Sequence, residues 1–94
     1  MEEMKKIYLD YAATTSVHTD VFRAMEPYFT VKFGNPGSLH SFGQEAIAEV
    51  DASRETIAKA MGAGFREVIF TGSATEANNL ALRGIARSGS RVIV

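Results

Sequence analysis

Apolar and polar positions fall into several distinct patterns along the chain. Lys5-Lys6-Ile7-Tyr8-Leu9-Asp10-Tyr11 is β-rich with an imperfect alternation, which predicts a brief strand or an extended arm. Ala12-Ala13-Thr14-Thr15-Ser16 is small and polar and reads as a turn or loop. Thr19-Asp20 is a helix start, after which Val21, Phe22, Met25, Tyr28 and Phe29 recur at helical steps and form one apolar face. Pro27 sits late in that run. It removes a backbone donor and crowds the preceding turn, so the helix is expected to kink or end nearby.

Gly34-Asn35-Pro36-Gly37-Ser38 is the strongest breaker in the sequence and predicts a structured loop. Ser41-x-x-Gln44 then has capping-box spacing, and a long helix is expected to run to about Met61. Ile47, Val50, Ile57 and Met61 mark its buried stripe, and Glu45, Glu49, Arg54, Glu55 and Lys59 its wet face. Glu55 and Lys59 stand in the favourable i,i+4 order. Gly62 and Gly64 suit a left-handed helix end.

The last third changes period. Glu67-Val68-Ile69-Phe70-Thr71 reads as an apolar strand, Gly72-Ser73-Ala74-Thr75 as a tight turn, and Glu76 to about Arg87 as a helix with a small-residue face of Ala77, Leu80, Ala81 and Gly84. Ser88-Gly89-Ser90 is a second turn and Arg91-Val92-Ile93-Val94 a second strand. This is one strand–helix–strand unit, whose strands should be parallel with a right-handed crossover. Two parallel strands cannot cover both of their faces, so the chain is expected to be the N-terminal part of a larger α/β protein.

Composition narrows the functional classes. The 94 residues hold 10 Lys+Arg against 11 Asp+Glu, a net charge of -1, which leaves no basic footprint for nucleic acid or an anionic membrane. Apolar residues at 46% and charged residues at 22% are globular values. With no Cys there is no disulfide, thiolate metal site or thiol nucleophile in this chain. The start MEEMKKIYLD has no apolar h-region and no run approaches a membrane span, so a soluble, cytoplasmic protein is expected.

The richest candidate site is Phe70-Thr71-Gly72-Ser73-Ala74-Thr75-Glu76. The first turn of a helix leaves amides unpaired and carries partial positive charge, so a phosphate or carboxylate fits there. Gly72 permits a sharp turn and close approach, and Ser73 and Thr75 offer hydroxyls. Ser73-x-x-Glu76 is equally a capping box, which needs no ligand. The segment is neither a P-loop nor a G-x-G-x-x-G fingerprint. His18 and His40 form no metal-binding pair, and His40, following the Gly/Pro loop, faces a cleft or is a surface or packing residue. Asp10 is a cap or a site acid.

Three segments together resemble one family. Ile7-Tyr8-Leu9-Asp10-Tyr11-Ala12-Ala13-Thr14-Thr15, Phe33-Gly34-Asn35-Pro36-Gly37-Ser38-Leu39-His40-Ser41-Phe42-Gly43 and Phe70-Thr71-Gly72-Ser73-Ala74-Thr75-Glu76-Ala77-Asn78-Asn79-Leu80-Ala81 are similar to signatures of cysteine desulfurases. These are class V aminotransferase-like enzymes of fold type I that use pyridoxal 5'-phosphate (PLP). The resemblance implies a three-layer α/β/α fold with a mostly parallel sheet. Residues 1–18 would be an N-terminal arm, and 19–94 the incomplete start of the large α/β domain. It implies a homodimer that converts L-cysteine to L-alanine and passes sulfur to an enzyme cysteine as a persulfide, for iron–sulfur assembly through an acceptor or scaffold protein.

Carried over by position, Ala74 and Thr75 match the family's cofactor-phosphate contacts, with Thr75 supplying hydroxyl and amide. Ala12–Thr14 and Gly34–Ser38 would lie near the substrate cleft. Gly72-Ser73 inverts the Ser-Gly order common in the family. The Schiff-base lysine, the ring histidine and aspartate, and the persulfide cysteine have no counterpart here, so this segment is expected to contain no catalytic residue and no activity alone. Selenocysteine lyase or another class V enzyme shares the same anchoring. A non-catalytic packing or dimerisation fragment and a small phosphate-binding domain unrelated to PLP are readings of other classes.

Overall fold

The computed structural model describes Met1 and residues 4–94; Glu2 and Glu3, within the arm expected over 1–18, lie outside the described residues. The chain divides into two units, Met1–Val50 and Asp51–Val94.

In the first unit, Pro27 splits the expected helix into α1 (Thr19–Met25) and α2 (Pro27–Thr30). Pro27 occupies the first position of α2, where its missing N–H costs least. The start of α1 is set by His18, whose Nδ1 accepts from the Asp20 amide at 3.2 Å. Upstream, residues 5–10 carry no strand and lead into a turn at 11–13. The Tyr8 hydroxyl reaches the carbonyl oxygens of Asp10 and Thr14, both at 2.9 Å, and the Tyr11 ring stands edge-on to Tyr8 at 5.1 Å. The Asp10 carbonyl also accepts from Ala13 N at 3.1 Å, closing the small-residue turn.

The Gly/Pro loop is ordered by its own Asn. Asn35 Oδ1 accepts from Gly37 N at 2.8 Å and its carbonyl accepts from Ser38 N at 2.9 Å. The loop then lies against the start of α3 (Ser41–Met61). A Cβ on Gly34 would stand 2.2 Å from the Phe42 carbonyl oxygen, and one on the buried Gly43 2.0 Å from that of Ser38. Both positions therefore exclude a side chain. Gln44 N donates to the His40 carbonyl at 3.1 Å, so the cap lies at His40, one residue before the expected Ser41.

Tyr28 and Lys32 are tied to α3 through one carboxylate: Tyr28 Oη donates to Glu49 Oε2 at 2.9 Å and Lys32 Nζ to Glu49 Oε1 at 2.7 Å. The bonds from Lys32 and Tyr28 hold the Glu49 carboxyl below its ordinary value of 4.5. The bond to Glu49 lifts Lys32 above 10.5 and Tyr28 above 10.0.

In the second unit, α3 closes on Gly62 at φ +65°, with Ala63 N bonded to the Ala58 carbonyl at 2.9 Å, a Schellman end. Gly64, at φ -79°, is not left-handed as expected. It is instead held by Glu67, whose Oε2 accepts the Gly64 amide at 2.6 Å across a 3₁₀ turn, Phe65–Glu67. The Glu55–Lys59 pair forms at 3.4 Å. It is exposed and contributes only a few tenths of a kcal/mol. α4 runs Ala74–Ile85, two residues earlier at each end than expected, because Ser73 is its cap. Ser90 N returns to the Arg87 carbonyl at 2.9 Å around Gly89, φ +84°, which makes the second turn.

Two expectations are corrected. No strand is present among the described residues, so the parallel strand–helix–strand unit of 67–71 and 91–94 is not formed here. Val68 has extended backbone, φ -99° and ψ 119°, but no ladder partner. A β-branched run sets local conformation, whereas a strand also needs a neighbour to bond. Nor is the α3 stripe buried: Ile57 and Met61 are exposed, and the buried apolar residue among those described is Ala58, 2% exposed. Among the described residues no helix is long and apolar enough to cross a membrane.

Gly43→Ala forces a methyl into backbone, and we expect it to lower stability by about 1–3 kcal/mol, read as a lower chemical-denaturation midpoint. The Glu49 link has a defined pH window. Its carboxylate contribution is present above about pH 4.5 and lost as pH falls through the depressed value; the Lys32 and Tyr28 contributions are present below about pH 10 and lost as pH rises through the raised values. In denaturation curves taken across pH 3–6, Glu49→Gln should flatten the acid limb, and an unchanged limb would exclude the link.

Candidate anion site at the start of α4

The backbone arrives at α4 through Thr71, whose Oγ1 donates to the Ser73 carbonyl at 3.1 Å. Ser73 is extended, φ -162° and ψ 162°, the geometry of an N-cap. Its Oγ accepts from the Glu76 amide at 3.1 Å. The Glu76 carboxylate turns back, and Oε2 accepts from the Gly72 amide at 2.8 Å. The absent side chain of Gly72 makes room for this return, since a Cβ there would meet Glu76 Oε2 at 3.3 Å. The capping box read from Ser73-x-x-Glu76 is therefore built, with its glutamate reaching one residue further back than the usual pattern.

The cap leaves a remainder. It uses the amides of Gly72 and Glu76, while Ala77 N bonds the Ser73 carbonyl at 3.1 Å. The amides of Ser73, Ala74 and Thr75 find no acceptor among the described residues, and Ala74 and Thr75 are exposed. Thr75 is held on the helix from its other side, where its carbonyl accepts from Asn79 Nδ2 at 2.9 Å. Its hydroxyl has no partner among the described residues. Unpaired amides at the positive end of a helix, with a hydroxyl beside them, suit an anion with several acceptor oxygens. The capping and anion-binding readings thus use different donors and coexist.

Ala74 and Thr75, the residues singled out from sequence, are brought together here. The Ser73 amide is a further donor that sequence reasoning does not single out; its available signal is the Ser73-x-x-Glu76 spacing, which marks residue 73 as the helix cap with its amide unpaired. The other candidates lie in the first unit, where His18 caps α1 and exposed His40 stands edge-on to the Phe42 ring at 6.1 Å. No group of three or more His, Cys, Asp or Glu side chains able to hold a metal occurs among the described residues.

Comparison with known proteins decides the family. The model of the aminotransferase class-V family matches residues 7–94. The chain belongs to the aminotransferase class-V family. This class-V chain is 50% identical over 82 residues to a cysteine desulfurase IscS of Dictyoglomus turgidum, covering 87% of the chain and 21% of that relative. It is 56% identical over 82 residues to cysteine desulfurase IscS of Rickettsia massiliae and 57% to that of Rickettsia bellii, in each case over 86% of the chain and 20% of the relative. The class-V chain therefore spans about a fifth of the length of the curated relatives it matches. No solved structure matches it.

Proposed function

We propose that this class-V chain is a segment of a PLP-dependent cysteine desulfurase and that its part in the enzyme is to hold the cofactor's phosphate. One observation carries the reading: the amides of Ser73, Ala74 and Thr75 are left over once the Ser73–Glu76 cap is made. The donor set fits a phosphate dianion, with adjacent amides, a hydroxyl and a helix's positive end. The Glu76 carboxylate is held on Gly72, so the cap's own charge is turned back along the chain. Pyridoxal phosphate, when bound, supplies the electron sink for bond cleavage at the amino acid. Residues of this chain bind and orient it.

The wider reading follows the relatives. L-cysteine is the substrate, L-alanine the product, and the sulfur passes to a cysteine of the enzyme and then to an acceptor protein, in a cytoplasmic homodimer. The chain itself has no Cys, so that step lies elsewhere in the enzyme. In the longer protein, 68–71 and 91–94 are proposed to join a mostly parallel sheet of the large domain, of which 19–94 is the start. Exposed Ile69, Phe70, Val92 and Ile93 leave apolar surface for that packing. Ala12–Thr14 and Gly34–Ser38 are proposed to border the substrate cleft.

The test is Thr75→Val in the full-length enzyme. A hydroxyl bonded to a charged acceptor contributes ~1.5 kcal/mol or more, so PLP affinity should fall about tenfold, read from the absorbance of the bound cofactor. Unchanged affinity would remove the site from consideration.

A further inference from the structure

The segment that delivers the anion site passes close to α3 at one residue. Arg54, its side chain 23% exposed, donates from Nη1 to the Val68 carbonyl. Its guanidinium carbon lies 5.4 Å from the centroid of the Phe65 ring and 4.9 Å from that of Phe70. Its Nε faces Asp51 Oδ1 at 3.9 Å, one turn back on α3. One planar cation thus touches both ends of the Phe65–Phe70 segment and bonds its middle. Thr71 follows directly, and its hydroxyl bond to the Ser73 carbonyl passes the placement into the cap of α4. Residues 68–70 make no backbone–backbone hydrogen bond among the described residues, so the Arg54 bond is their anchor to the helix.

We infer that Arg54 is a positioning residue for the anion site: it sets the course of Val68–Phe70 and so where the amides of Ser73–Thr75 point. The inference rests on the proposed phosphate reading of that site. Its chemistry needs a guanidinium. A flat, delocalised cation stacks on rings while donating in its own plane, and a lysine ammonium cannot do both.

The experiment compares pyridoxal phosphate with pyridoxal, which lacks the phosphate, as ligands of the full-length enzyme. The variants are Arg54→Met, which keeps the apolar stem, and Arg54→Lys, which keeps the charge. Thr75→Val is the control. In both Arg54 variants affinity for pyridoxal phosphate should fall about fivefold while affinity for pyridoxal holds, because the loss is confined to phosphate placement. If Arg54→Met does not fold, Arg54→Lys alone carries the comparison. Equal weakening of both ligands marks Arg54 as a general packing residue and overturns the inference. So does no weakening of either, when Thr75→Val shows the selective loss. If Thr75→Val shows no selective loss, the phosphate reading itself falls and the inference with it.

Discussion

A helix cannot bond its own first amides, and the proposed function rests on what this chain does with those of α4. Ser73 and Glu76 take two donors, one each way, and fix where the helix begins. The rest stay open beside the Thr75 hydroxyl. Had the cap been looser the first turn would fray, and had it used every donor no anion could bind. Internal capping and ligand binding are usually weighed as competing explanations of the same motif. Here the cap uses the Gly72 and Glu76 amides, and the proposed anion would use others.

Elsewhere, order comes from short-range bonds more than from burial. With Ala58 buried and large side chains from Ile7 to Val94 exposed, the apolar faces are written in the sequence but not covered. Local devices hold most segments instead: Tyr8 across the arm, Asn35 within the loop, Glu67 around the 3₁₀ turn; the Glu49 carboxylate adds one tie between residues distant in sequence, to Tyr28 and Lys32. Glycine packing at Gly34 and Gly43 is the tightest of these, because backbone meets backbone with no room for a methyl. Such bonds define shape well, but each stabilises a small net amount.

What was legible in the sequence was whatever depends on near neighbours. The extent of α3, the break at Pro27, the left-handed Gly62 and the Ser73–Glu76 pairing are all decided within a few residues. The start of α4 was misplaced because a capping serine and a turn serine look alike until the backbone is seen. The capping role of the His18 ring is not legible in the sequence, because histidine fills that position less often than Ser, Thr, Asp or Asn. Strands failed for a different reason: Val68–Phe70 and Val92–Val94 have the right residues, but ladder bonds need a partner that no local pattern supplies. Periodicity places Arg54 on a wet face, because it records which side of a helix a residue is on and not whether the Phe65 and Phe70 rings stand against it.

Ala74 and Thr75 are proposed to donate to an anion, while Gly72 serves the cap. Amide hydrogen exchange of the full-length protein, with and without pyridoxal phosphate, reads those donors one by one. Exchange at Ala74 and Thr75 should slow on cofactor addition, with Gly72, already bonded to Glu76, little changed. Unaltered exchange at Ala74 and Thr75 in a fully loaded enzyme would contradict the account.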